Sequence, residues 1–101
     1  MDIRIIKSPS QGTIDILMRR KGSLKSVVPE NTDAVGLVQG KMIEMVVAAD
    51  IAEKAVGVTV EDIRGSCPQT MLLLAIFGDT AAVEDALKQI KLEAEQGKYK
   101  C

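Results

Sequence analysis

The stretch RGSCPQT, residues 64–70, holds Cys67, one of only two cysteines in the chain. A thiolate is a soft ligand that suits iron better than it suits magnesium or calcium. One thiol cannot hold a metal alone, and the chain has no histidine that could help it. A lone cysteine is most often a small buried hydrophobic residue. Residue chemistry therefore leaves open what Cys67 does.

The absence of histidine removes most routes to catalysis. Ser-His and Cys-His nucleophile pairs are excluded, and so are zinc sites with imidazole ligands. A thiol-based redox enzyme is an alternative, but it needs a lowered thiol pKa and a resolving partner. Arg64 is the only cation close to Cys67 in sequence, and Cys101 is far away in a charged tail where its role is incidental. The residues favour a protein that is not an enzyme.

Composition narrows the class of protein further. The chain has 101 residues, of which 47% are hydrophobic and 2% aromatic, so we expect one domain with an aliphatic core. A net charge of -1 gives no basic field, and no nucleic-acid partner is expected. The longest apolar run, residues 71–77, is too short to span a bilayer, and no membrane partner or signal peptide is expected. These features predict a soluble cytosolic protein with reduced thiols.

The first third of the chain predicts two strands and a short helix. Residues 3–7 form a short apolar stretch typical of a strand. Residues 13–18, in which apolar side chains recur at every second position, predict a second strand. Residues 22–28 predict a short helix that Pro29 ends.

The remainder of the chain predicts a β-α-β-β-α order. The first elements are a buried strand over 34–39 and a helix over 42–56 that ends at Gly57. A half-buried strand over 58–64 and a central strand over 70–77 follow. The last element is a helix with Asp79 or Thr80 as N-cap and an apolar stripe of Val83, Ala86, Leu87 and Ile90. We expect an α+β fold of ferredoxin-like type, an antiparallel sheet with two main helices packed on it. Residues 1–101 then form a single domain with an N-terminal part (1–33), a core (34–90) and a polar tail (91–101).

The predicted helix over 42–56 is apolar around most of its circumference. Such a helix is expected to be buried on more than one side. In so small a domain, the second covering surface is expected to be another subunit. The alternative is that its alanines are helix-forming residues on a tolerant surface.

Two long stretches, AVGLVQGKMIEMVVAADIAEKAVGV and EDIRGSCPQTMLLLAIFGDTAAVEDALKQI, resemble the bacterial microcompartment (BMC) shell domain. The shared features are a strand before an alanine-rich helix with an AAD segment and a lysine, then an apolar strand that ends in GD. The resemblance covers residues 34–90. The usual domain ends in a further strand, whereas here a charged tail follows and strand-like segments lie at the front. This order resembles the circularly permuted branch of the family.

The short motif GSCPQ is similar to that of GrpU-type shell proteins from glycyl-radical enzyme microcompartments. The resemblance implies a homo-hexamer in the shell, in the bacterial cytoplasm, with other shell proteins beside it and encapsulated enzymes as further candidate partners. It places Lys54 at the disc edge, where hexamers pack laterally. It also implies a central pore lined by Gly65, Ser66, Cys67, Pro68 and Gln69.

The same resemblance implies an iron–sulfur cluster, of the 4Fe-4S type, at the pore. Cys67 from several subunits would be its metal ligand, for electron transfer or cluster delivery across the shell. One alternative is a metal-free pore for metabolite transport, in which the thiols set polarity and diameter. A small ligand-sensing α+β trimer is another.

Overall fold

The computed structural model describes residues 1–19, 32–63 and 73–96 of the chain. In these ranges the elements are strand β1 (Asp2–Lys7), helix α1 (Gln11–Arg19), strand β2 (Ala34–Gln39), helix α2 (Met42–Lys54), strands β3 (Val58–Ile63) and β4 (Leu73–Gly78), and helix α3 (Thr80–Gln96). The α+β class and the β-α-β-β-α order from residue 34 are confirmed.

The four strands form one antiparallel sheet in the order β1-β2-β4-β3. Helices α2 and α3 cover one face, with α2 mainly over β3 and β4, and α3 mainly over β2 and reaching β1. The larger apolar core lies between these helices and the sheet. Helix α1 covers the other face and packs on a second core of Ile14, Leu17, Val35, Ile63, Ala75 and Phe77.

The predicted strand over residues 13–18 is wrong, because this segment belongs to helix α1. Ile14 and Leu17 are buried at a spacing of three residues, whereas Ile16 is exposed. The hydroxyl of Ser10 accepts a hydrogen bond from the Thr13 backbone N–H at 3.2 Å, as an N-capping side chain does. The alternation was deceptive, since apolar Leu17 occupies a position that a half-buried strand fills with a polar residue.

Helix α3 begins as predicted and runs further than predicted. Asp79 is the N-cap, and its Oδ1 accepts a hydrogen bond from the Ala82 backbone N–H at 2.8 Å. The predicted apolar stripe is confirmed, because all its members are buried. The helix continues to Gln96, so residues 91–96 extend it rather than begin a tail.

Two glycines occupy positions that a residue with a side chain would strain. Gly57 has φ of +82° and lies in the turn between α2 and β3, since α2 itself ends at Lys54 and not at the predicted residue 56. A Cβ at Gly36 in β2 would lie 3.0 Å from Cδ2 of Leu87, so α3 rests directly on the backbone of that strand.

Some predictions concern parts of the chain that the structure leaves undescribed. The predicted helix over 22–28, the predicted start of β4 at residues 70–72 and the last predicted residue of β3, Arg64, all lie there. Within the described ranges, no helix is long and apolar enough to cross a membrane.

Candidate functional site

The two ends of the sheet differ in what they carry. Asp2, Gln39, Leu73 and Ile63 are neighbours in the strand register and form one end, from which the chain leaves β3 and re-enters β4. Because residues 64–72 connect these strands, we call it the Cys67 end. The opposite end, formed by Lys7, Ala34, Gly78 and Val58, carries the turns, and we call it the turn end.

All the residues predicted to line the pore lie outside the described residues: Gly65, Ser66, Cys67, Pro68 and Gln69. The structure does describe the residues on either side of this segment. Ile63 and Leu73 are register partners on adjacent antiparallel strands. Ile63 is buried and Leu73 half-buried, and both belong to the core beneath α1. The segment therefore leaves and re-enters the described part of the chain at one packed end of the sheet.

The donor chemistry limits how a metal could be held. Within residues 1–19, 32–63 and 73–96, no three acidic, cysteine or histidine side chains are grouped closely enough to hold a metal ion. One copy of the chain contributes two thiols, Cys67 and Cys101. Iron–sulfur clusters are commonly held by about four cysteine thiolates. The residues therefore fit such a cluster only if several copies contribute.

Helix α2 begins at the Cys67 end with exposed apolar side chains. Met42, Ile43 and Val46 are 64%, 74% and 62% exposed. On the opposite side of the helix, Met45 and Ala48 are buried against the sheet and α3. In the single chain, α2 is therefore buried on one side, and the expectation that another subunit covers a second side stays a prediction. We call its exposed side, Met42, Ile43, Val46, Asp50, Glu53 and Lys54, the outer face of α2.

Lys54, the predicted disc-edge residue, is the last residue of α2. Its Nζ lies 2.7 Å from Oδ2 of Asp50, one helical turn earlier, and both side chains are largely exposed. A helix of 13 residues is about 20 Å long. Lys54 therefore lies far from the Cys67 end of the protomer, as a rim residue would if the Cys67 end faced an axis.

A groove on the other flank of the helical layer was not predicted from the sequence. Its volume is about 610 Å³, and β1 and α3 form most of its walls. Ile3, Ile5 and Leu87 provide apolar surface. The remaining lining residues are Met1, Arg4, Lys88, Lys91, Glu44 and Glu84. We call this feature the β1 groove. The only sequence signal for it is the alternation of Ile3 and Ile5 with charged residues, because the opposite wall is distant in sequence.

Comparison with known proteins gives a consistent result. The model of the BMC domain family matches residues 34–100. The ligand-free GrpU microcompartment shell protein from Clostridiales bacterium 1_7_47FAA is 59% identical, with a TM-score of 0.75 over 96% of this chain and 95% of that one. The ligand-free GrpU shell protein from Pectobacterium wasabiae is 36% identical, with a TM-score of 0.70 over 89% and 99%. No curated protein matches.

Proposed function

Because this chain belongs to the BMC domain family and is a shell protein of the GrpU type, we propose that it forms a homo-hexameric disc with Cys67 from every copy at a central pore. The observation that carries the proposal is the anchoring of residues 64–72 at one packed end of the sheet. A ring with the Cys67 end inward turns one thiol per chain into a set of converging thiols.

We propose that Cys67 thiolates from alternate subunits hold a 4Fe-4S cluster, for electron transfer or cluster delivery across the shell. When bound, an iron–sulfur cluster supplies reversible electron transfer. Gly65 lets several backbones approach one another, since it has no side chain. Pro68 disfavours helical backbone at Cys67 and stiffens the segment, so less conformational entropy is lost when the ligands converge. Ser66 and Gln69 can donate hydrogen bonds at the pore or between neighbouring segments.

The strands on either side of the Cys67 segment, residues 64–72, support the proposal because they are firmly packed. Strand β4 is central in the sheet and almost wholly buried, and β3 pairs with it along its full length. The two residues from which the Cys67 segment starts and to which it returns, Ile63 and Leu73, are therefore held at a fixed spacing in each copy. Shape and position, rather than chemistry on a substrate, are what this protomer provides, so we propose no enzymatic activity for it.

We also propose that Lys54 lies at the rim and packs against neighbouring discs. The Lys54→Ala variant is expected to fold and form hexamers, because the Asp50 pair that it loses is exposed and such pairs contribute about 0.5 kcal/mol or less. Its discs should fail to tile into sheets, as seen by electron microscopy. Lys41→Ala, a change of an exposed lysine at the other end of α2, is the control and should tile normally. If Lys54→Ala discs formed layers like those of the wild type, Lys54 would not take part in the contact between discs.

The cluster proposal is tested by anaerobic purification of the wild type, Cys67→Ser and Cys101→Ser. Iron, acid-labile sulfide and electron paramagnetic resonance are measured on each, and light scattering gives the assembly mass. We expect Cys67→Ser to lose essentially all iron and sulfide while it remains a hexamer. Cys101→Ser, the matched change of the other thiol, should keep both.

Two outcomes would contradict parts of the proposal separately. Equal iron in the wild type and in Cys67→Ser would exclude Cys67 as the ligand but leave the disc intact. Hexamers of the wild type that take up no iron, even after anaerobic reconstitution with iron and sulfide, would instead favour the metal-free metabolite pore.

A further inference from the structure

Glu61 is the one charged residue that is buried in the described part of the chain. It is 8% exposed and lies on β3, an edge strand of the sheet. Because alternate side chains of a strand share a face, Glu61 lies on the same face as Ile63, which packs in the core beneath α1. Its register partner on β4, Ala75, belongs to the same core. This carboxylate therefore lies beside an apolar layer.

The burial of Glu61 is not offset by a partner within the described residues. In the ranges 1–19, 32–63 and 73–96, its carboxylate makes no ion pair and accepts no hydrogen bond. A buried carboxylate without a partner costs free energy, so it calls for an explanation other than the stability of the fold. The next residue, Asp62, differs because it lies on the opposite face and has an interaction partner.

The position of Glu61 relates it to the Cys67 segment. Glu61 lies two residues before the end of β3, and Cys67 follows it by six residues. Six residues span at most about 20 Å, which limits the distance between the Cα atoms of Glu61 and Cys67 in one copy. A buried charge is screened less by water and salt than an exposed one, so its field acts over such distances. In the proposed disc, each copy brings one Glu61 toward the same axis.

We propose that the negative charge of Glu61 lowers the reduction potential of the iron–sulfur cluster at the pore. The inference rests on the proposed cluster site and adds a residue that determines how the site performs electron transfer. The potential of such a cluster depends on the charge, the hydrogen bonds and the solvent exposure of its surroundings. Reduction adds a negative charge, so carboxylates buried nearby disfavour the reduced state.

The test compares two variants of Glu61 with the wild type. Glu61→Gln removes the charge and keeps nearly the same volume, so the fold should be kept, whereas Glu61→Asp keeps the charge. The matched control is Glu53→Gln, which removes an exposed carboxylate at the end of α2 that is remote from the Cys67 end. Each protein is purified anaerobically with its cluster, and light scattering confirms the same assembly mass. Redox titration followed by visible absorption and electron paramagnetic resonance gives the midpoint potential.

We expect Glu61→Gln to have the more positive midpoint potential. At a fixed potential, the ratio of reduced to oxidised cluster should rise about tenfold, which is about 59 mV for a one-electron couple. Glu61→Asp and Glu53→Gln should stay close to the wild type. A potential that is unchanged in Glu61→Gln, or that shifts equally in Glu61→Asp, would overturn the inference and leave the cluster site standing. A wild type that binds no cluster would overturn the proposed site and this inference with it, so the two failures are distinguishable.

Discussion

The turn end and the Cys67 end of the sheet are built in opposite ways. At the turn end the backbone is closed by its own hydrogen bonds, from the Ser8 N–H to the Asp33 carbonyl at 2.8 Å and from the Asp33 N–H to the Gly78 carbonyl at 3.0 Å. At the Cys67 end, α2 begins with exposed Met42 and Ile43. The difference lies in the backbone hydrogen bonds, because the turn end also exposes an apolar side chain, Val56 at 92%. We therefore expect the turn end to matter most for the stability of a single chain and the Cys67 end for contact with further copies.

The largest effect on stability is expected from Gly78→Ala at the turn end. A Cβ at residue 78 would lie 2.7 Å from the carbonyl oxygen of Gly57, in a turn already held at positive φ. Overpacking of this kind typically costs about 1–3 kcal/mol. Urea unfolding at fixed protein concentration measures the loss.

The matched control is Gly12→Ala on α1, where the nearest atom to the added Cβ is 3.9 Å away. This variant should be unchanged or more stable by up to about 1 kcal/mol, because alanine has the higher helix propensity. Equal unfolding free energies for the two variants would contradict the tight closure of the turn end.

A smaller effect is expected from Asp79→Ala, which removes the side-chain cap of α3. The Ala82 N–H would lose its carboxylate acceptor, and such losses typically cost about 1 kcal/mol. Asp79→Asn keeps an oxygen acceptor and should recover most of the stability. The same urea titration checks both, and no difference between alanine and asparagine would exclude the capping role.

The smallest effect on the protomer is expected from Ile43→Ser at the Cys67 end. Ile43 is 74% exposed, so its loss should change the unfolding free energy of the protomer by less than about 0.5 kcal/mol. Association should weaken clearly, as seen by sedimentation velocity over a dilution series. A stability loss as large as that of Gly78→Ala, without weaker association, would remove the distinction between the two ends.

Much of this fold follows from local patterns in the sequence. The stripe of Val83, Ala86, Leu87 and Ile90 specifies α3, and the continuous apolar run of β4 is typical of a central strand. Helix α1 was missed because Ile14, Ile16 and Met18 suit a period of two as well as part of a helix. The deciding facts are tertiary: Leu17 packs on the sheet and Ile16 does not.

The candidate site was less accessible to sequence reasoning. The motif around Cys67 could be noticed because it is short and contiguous. The apolar residues on both the buried and the exposed side of α2 could be noticed because they lie along one helix. The β1 groove could not, since its walls come from residues about 80 positions apart, such as Ile5 and Lys88. Only the strand order, with β1 beside β2 at an edge and α3 above, brings those walls together.

The contact of Gly36 with Leu87 has a consequence for the shape of any closed surface made from this chain. Because residue 36 has no side chain, Leu87 of α3 rests directly on the backbone of β2 at this point, and Leu87 also lines the β1 groove. A single methyl group at residue 36 would act as a spacer that lifts this wall. In the proposed disc, a raised wall would change the side that each copy offers to its neighbours, so we expect residue 36 to influence whether a layer of discs is flat or curved.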